Sequence, residues 1–177
     1  NGKVYDGNAA ATGTLSLGGV LAGDAVSASG SYAFGDKNAG NGKAVTASGI
    51  ALSGADAGNY SVNRPGPGLA DTLAGTSTVT LAANGKVYDG TTAATGTLSL
   101  GGMIAGDEVG ATGTLAFADR NAGTRKIVTA NGIVLSGADA GNYIVNTSAT
   151  ALADILARTI TATLAANGKV YDGTTAA

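Results

Sequence analysis

Thr159-Ile160-Thr161-Ala162-Thr163-Leu164-Ala165-Ala166-Asn167-Gly168-Lys169-Val170-Tyr171-Asp172-Gly173 carries two signals at once. Its opening, Thr159 to Leu164, alternates β-branched polar with apolar side chains at a period of two, the pattern of a half-buried strand. Its close, from Asn167, repeats Asn1-Gly2-Lys3-Val4-Tyr5-Asp6-Gly7 and the same seven residues from Asn84, at an offset of 83 residues both times (84 − 1 and 167 − 84). Laid over each other without a gap, the first two copies agree at about 57 of 83 positions. A fixed period marks an array of like units. This one exceeds the roughly 20–45 residues of a solenoid turn and suits one small, self-contained domain per repeat. The chain is therefore expected to begin and end inside a repeat, as a piece of a longer array.

Working outward, the rest of the period also reads as strands. Tyr88-Asp89-Gly90-Thr91 places Asp-Gly after a short apolar run, a hairpin-turn signal. Residues 112–117 and 126–129 are further strand candidates. Asp119-Arg120-Asn121-Ala122-Gly123 and Ser136-Gly137-Ala138-Asp139-Ala140-Gly141-Asn142 are rich in turn formers. No window has helical period with caps, and the alanines alternate with Thr, Val and Gly, which disfavour helix. Many short strands with frequent turns predict an all-β sandwich or barrel. Asp139-Ala140-Gly141-Asn142-Tyr143, and Asp56-Ala57-Gly58-Asn59-Tyr60 before it, have the shape of an immunoglobulin-type tyrosine corner, in which the hydroxyl bonds back to upstream backbone. The usual cysteine two residues on is Val145 or Val62, so no disulfide forms there. The expected fold is a tandem of immunoglobulin-like β-sandwich repeats with a period of 83 residues.

Composition excludes several functions. The 177 residues hold 12 acids, 10 bases and no His, Cys or Trp, for a net charge of −2. Disulfides, thiolate nucleophiles and the usual zinc or iron–sulfur sites are out, as are the commonest general base and metal ligand. The charge gives no footprint for nucleic acid, and no apolar run is long enough to cross a membrane as a helix. Aromatic residues make up 5% of the chain, so the core must be thin, built from Val, Ile, Leu and Ala with tyrosines as anchors.

Val87-Tyr88-Asp89-Gly90-Thr91-Thr92-Ala93-Ala94, then Phe117-Ala118-Asp119-Arg120-Asn121-Ala122-Gly123, then Leu135-Ser136-Gly137-Ala138-Asp139-Ala140-Gly141-Asn142-Tyr143 resemble the YDG-type repeat of filamentous-haemagglutinin-like adhesins and other large exoproteins of Gram-negative bacteria. The first copy departs at Asn8 and Ala9, where Thr-Thr is favoured, and at Gly35-Asp36-Lys37, read as surface turn variation. The resemblance implies a secreted, surface-displayed array, extracellular or on the cell surface, and carries no catalytic residues. It also implies a domain register of its own: 1–75 lacking its first strand, a complete repeat at 76–158, and the first strand and hairpin of a third at 159–177. The intervening linkers, Ala74-Gly75 and Ala157-Arg158, are short enough to favour a stiff rod.

Against that background no site chemistry is expected. Asp6, Asp24, Asp36, Asp56 and Asp71 recur as Asp89, Asp107, Asp119, Asp139 and Asp154. Turn residues must recur in this way, whereas repeated active sites are unusual, so the chain is read as no enzyme. The residues singled out are structural: Tyr5, Asp6, Asp56, Tyr60, Tyr88, Asp89, Asp139 and Tyr143. No cofactor is expected. Calcium, weighed at Asp119 with Asn121 and Asp139 with Asn142, yields to turns because the acids are too sparse for its six to eight oxygens. A Lys–Asn isopeptide crosslink, weighed for Lys3, Lys43, Lys86 and Lys126 with Asn59, Asn63, Asn142 and Asn146, yields to lysines as solvated edge charges. Asn59-Tyr60-Ser61 and Asn146-Thr147-Ser148 match the glycosylation pattern by coincidence. The expected function is a stalk or fibre segment of an adhesin. The alternatives are a filament subunit joined head to tail by strand complementation, or repeats that bind glycan or matrix. Expected partners are adjacent repeats or neighbouring copies, with no nucleic acid and no membrane insertion. The segment 159–177 is expected not to fold back on 76–158, and either to project or to complete 1–75 of a neighbouring copy.

Overall fold

A computed structural model describes residues 2–175, and the fold is all-β. A first unit contains β1 (Lys3–Val4), β2 (Ala10–Ala11), β3 (Ser27–Phe34), β4 (Gly40–Ser53) and β5 (Gly68–Leu73). These form one sheet in the order β1-β5-β4-β3-β2, antiparallel except for the β1–β5 pair. The second unit contains β6 (Gly75–Thr76), β7 (Thr78–Ala83), β8 (Lys86–Val87), β9 (Gly96–Gly101), β10 (Gly110–Phe117), β11 (Gly123–Ser136), β12 (Tyr143–Ile144) and β13 (Ser148–Leu156). Its main sheet runs β10-β11-β13-β8, beside an antiparallel β7–β9 ribbon and a parallel β6–β12 pair. Two 3-10 turns, Ala57–Asn59 and Ala140–Asn142, are the helical elements among the described residues.

The strand candidate at 126–129 extends into the fourteen-residue β11, because two bulges let its alternating face follow a curled sheet. At the bulge next to Lys126 the left-handed position is Arg125 (φ 49°), matching Gly42 (φ 58°) in the first unit. Asp154 holds the Arg125 N–H at 2.7 Å, and Asp71 holds that of Gly42 at 2.7 Å.

The core clusters lie in the second unit. Val79 and Leu81 of β7, with Leu98 and Leu100 of β9, pack against Ala130, Ile133 and Leu115 of the main sheet. Leu81 and Ala83 also reach the cluster of Phe117, Val128, Ala153 and Ile155. The register of β7 in the first unit falls before Asn1, and residues 13–18, the counterpart of β9, are not a strand. Val45, Ala47 and Ile50 are half-buried where Val128, Ala130 and Ile133 are buried. β5 also starts three residues later than β13, because Pro65 and Pro67 stand at the positions of Ser148 and Thr150 and have no N–H for the ladder.

Three expectations are corrected. The Asp89-Gly90 turn does not close a hairpin: β8 pairs with β13, while Ala93 bridges to Ala116 on β10. The loop between them spans the end of the curled sheet, so its flanks meet different neighbours. The segment 159–164 forms no strand, and Ile160 and Leu164 are 87% and 93% exposed. It meets no equivalent of β9 or β12, the strands that its counterpart 76–81 pairs with. The lysines are not solvated edge charges. Lys86 Nζ donates to Asp89 (2.8 Å), to the Thr91 carbonyl (2.9 Å) and to the Ala93 carbonyl (2.8 Å), over the Phe117 ring. Lys3 does likewise with Asp6 and the Asn8 carbonyl, over Phe34. Lys43 and Lys126 are held by Asp36 and Asp119. An ammonium has three donors, and once these replace its water shell the stem can lie under the loop. No hydrogen bond joins these lysines to Asn59, Asn63, Asn142 or Asn146 among the described residues.

Candidate functional site

The aspartates divide into three kinds. Asp6, Asp36, Asp89, Asp119 and Asp172 each accept the N–H two residues on, which closes a side-chain turn. Lys86 first, then the Thr91 N–H, holds the Asp89 carboxyl down at about 2. Asp56 and Asp139 precede the 3-10 turns and accept the N–H of Ala25 (2.8 Å) and Glu108 (3.1 Å). Asp107 does something different.

Asp107 lies in the turn before β10, and its side chain is 4% exposed. One carboxylate oxygen accepts both the Tyr5 hydroxyl (2.9 Å) and the Tyr143 hydroxyl (2.6 Å). The other faces Lys37 Nζ at 3.1 Å, and Lys37 also reaches Asp139 at 2.9 Å. Tyr5 and Lys37 come from the first unit, and Asp107, Asp139 and Tyr143 from the second, so this is the joint between them. The Tyr5 and Tyr143 rings meet edge to face at 5.5 Å, and both are buried. Beside them the Ala39 N–H donates to the buried Asn142 side chain at 2.9 Å.

Local structure places each group. Tyr5 follows β1 and is fixed by its N–H on the Leu73 carbonyl (2.8 Å). Lys37 and Ala39 sit in the turn between β3 and β4, which Asp36 closes through the Asn38 N–H (2.7 Å). Tyr143 opens β12, and its hydroxyl also accepts the Ile104 N–H at 2.9 Å. That bond reaches a turn 39 residues upstream, in place of the few residues of a local corner. The electrostatics agree with the geometry. The Tyr143 hydroxyl first, then Tyr5 and Lys37, hold the Asp107 carboxyl below its usual range against the effect of burial. Lys37 holds Asp139 down, and Asp139 first among its partners raises Lys37. Burial, reinforced by Asp107, raises both tyrosines. Such an arrangement can lock two bodies in one orientation. Among the described residues no three acids lie together as metal ligands.

Each unit also carries a second set of the residues that form this joint. On the first unit, Tyr60 donates to Asp24 and accepts the Leu21 N–H at 3.1 Å, as Tyr143 does with Asp107 and Ile104, but Asn59 is exposed and Tyr60 only half-buried. On the second unit, Tyr88 lines a cleft with Asn121, Ala122, Ala157, Arg158 and Ile160. Of the residues singled out from sequence, Tyr5, Asp139 and Tyr143 come together at the joint. Asp56 and Tyr60 repeat the local bonds of Asp139 and Tyr143 on the first unit, and Asp6 and Asp89 close loops beside Tyr5 and Tyr88. Sequence reasoning took Asp24 and Asp107 for plain turn residues and Lys37 for surface variation. The available signal was a cation kept in register at Lys37 and Arg120.

The family comparison agrees with this two-unit geometry. The YDG domain model matches residues 1–67 and 73–151, and the chain belongs to that family. No curated protein and no solved structure matches it.

Proposed function

We propose that this chain is a non-catalytic structural segment, a stalk or fibre of a large secreted bacterial surface adhesin, built of immunoglobulin-like sandwiches set end to end. The observation that carries the reading is the joint. Between β5 and β6 stands the single residue Ala74, and a buried Tyr5–Asp107–Tyr143 contact braced by Lys37 fixes the angle. A flexible or regulatory linkage would have a longer, polar, Gly/Ser-rich connection. The ribbon packed on a sheet and the paired tyrosine motifs favour the sandwich reading, and the family resemblance favours the extracellular setting. Adjacent repeats are then the natural partners, and no cofactor is called for.

Two measurements test this. Small-angle scattering should give one maximum dimension for the chain in dilute solution, with Asp107→Ala broadening the distribution while both units stay folded. A screen against glycans and matrix proteins should give no saturable binding. Saturable binding by the 177-residue chain would favour the reading in which the repeats themselves are adhesive.

A further inference from the structure

We infer that the second unit bears tension along the chain, through a clamp in which its first and last extended segments are loaded in shear. The inference adds a load path to the structural reading, but it rests on strand direction and not on the adhesin setting.

A pull along the chain enters the second unit at Gly75, after Ala74, and leaves it after Leu156. These residues belong to the segments 75–87 and 143–156, which are tied to each other in parallel at both ends. β6 pairs with β12, Gly75 with Tyr143 and Thr76 with Ile144. β8 pairs with β13, Lys86 with Ile155 and Val87 with Leu156. From the first contact to the second, one segment advances eleven residues and the other twelve (87 − 76 and 156 − 144), so the two keep step. Main-chain bonds extend each pair: the Ser77 N–H donates to the Ile144 carbonyl (2.9 Å) and the Tyr88 N–H to the Leu156 carbonyl (2.8 Å). Between the ends Asn146 accepts the Val79 N–H at 2.8 Å and donates to the Val79 carbonyl at 3.1 Å. Leu81 and Ala83 pack against the cluster that holds Ala153 and Ile155.

Direction decides how these contacts respond to force. A pull drags 75–87 backward and 143–156 forward. For parallel segments that motion is sliding of one past the other, so the two end contacts and the Asn146 clamp share the load and give way together. Antiparallel partners pulled apart from one end open one hydrogen bond at a time. Forced unfolding follows the unfolding barrier and not the equilibrium stability, and bonds that must break together raise that barrier.

The load path continues across the joint. In the first unit β1 pairs in parallel with β5, Val4 with Leu73, and the Tyr5 N–H donates to the Leu73 carbonyl at 2.8 Å. That carbonyl stands one residue before Ala74. On the other side, Tyr143 opens β12 and donates to Asp107. Tension therefore passes from β5 to β6 beside the groups that fix the angle between the units.

The chain has no cysteine, so force handles can be placed by substitution in the full chain. Ala74→Cys with Ala157→Cys pulls the two segments in shear. Thr124→Cys with Ala157→Cys pulls at the end of the antiparallel β11–β13 pair, where Gly123 meets Ile155, and peels it. In single-molecule force spectroscopy the shear geometry should need a rupture force at least about twofold higher, because its hydrogen bonds break together and not in turn. Asn146→Ala should lower the shear force and leave the peeling force nearly unchanged, whereas a merely thermodynamic effect would lower both alike. Equal forces in the two geometries, or a parallel fall of both in Asn146→Ala, would overturn the inference. The first comparison uses the native core and needs no destabilised variant. Neither outcome depends on the scattering or on the glycan and matrix screen, so this inference and the adhesin reading fail separately.

Discussion

At the scale of single residues, Thr72 shows what the repeat tolerates. It is 1% exposed, and its hydroxyl has no hydrogen-bond partner among the described residues. Its counterpart 83 residues on is Ile155, which sits in the core. A buried hydroxyl without a partner costs about 1–3 kcal/mol relative to a satisfied one. Thr72→Val keeps the shape and removes that group, so it should stabilise the chain by about 1 kcal/mol in a urea titration. Unchanged or lower stability would mean that the hydroxyl finds a partner in solution. Gly137 shows the opposite constraint. At φ 110° its missing Cβ leaves room for the Glu108 carbonyl, which would stand 2.3 Å from a methyl group there. Gly54 repeats this against Ala25, which accounts for a glycine at this position in both copies.

At the scale of elements, the same sequence behaves differently according to its neighbours. β7 is buried between β9 and the main sheet, whereas 161–166, nearly identical to it, forms no strand. Strand formation depends on a partner ladder and a face to cover, and only the first of the two has them. The contrast extends to the clamp. Asn146→Ala should strip both hydrogen bonds from Val79 and destabilise the second unit by about 2 kcal/mol, at roughly 1 kcal/mol for each bond. Asn63→Ala should change the dilute, monomeric chain by less than about 0.5 kcal/mol, as an exposed substitution does. Equal effects at the two sites, read by chemical denaturation, would mean that Asn63 makes comparable hydrogen bonds in solution. The elements legible in sequence were those whose alternation is local: the candidates at 112–117 and 126–129 lie in β10 and β11. The Asp89-Gly90 turn misled because turn chemistry fixes a local bend and does not specify which edges its flanks join. The lysines misled because charge alone suggests solvent, while three nearby acceptors permit burial.

At the scale of the whole molecule, the joint makes the relation of the two units depend on pH. Asp107 and Asp139 have depressed values in the fold. The stability they contribute is present above the unfolded carboxylate value, about 4, and is lost as pH falls through the lower folded values. Lys37, Tyr5 and Tyr143 have raised values. Their contribution is complete below about 10 and is lost as pH rises through the raised values. The joint should therefore hold across a plateau between these limits and loosen at both ends, as read by fluorescence transfer between probes on the two units. Asp107→Asn should shrink the acid limb. An acid limb that Asp107→Asn leaves unaltered would place the titrating group elsewhere.

Sequence by itself determined the period, the all-β class and the turn role of Asp6, Asp36, Asp89 and Asp119, because each depends on residues a few positions apart. It also carried the resemblance that the family match to residues 1–67 and 73–151 supports at the level of the repeat. The tertiary structure alone decided which residues meet across long separations. Tyr5 and Asp107 lie 102 positions apart, and Lys37 and Asp107 lie 70 apart. No periodicity links such partners, since each is an ordinary turn or strand-end residue until two units are placed end to end. The local alphabet of this chain is repeated and short-ranged. Its joint is a single, long-ranged arrangement set by how two units stack.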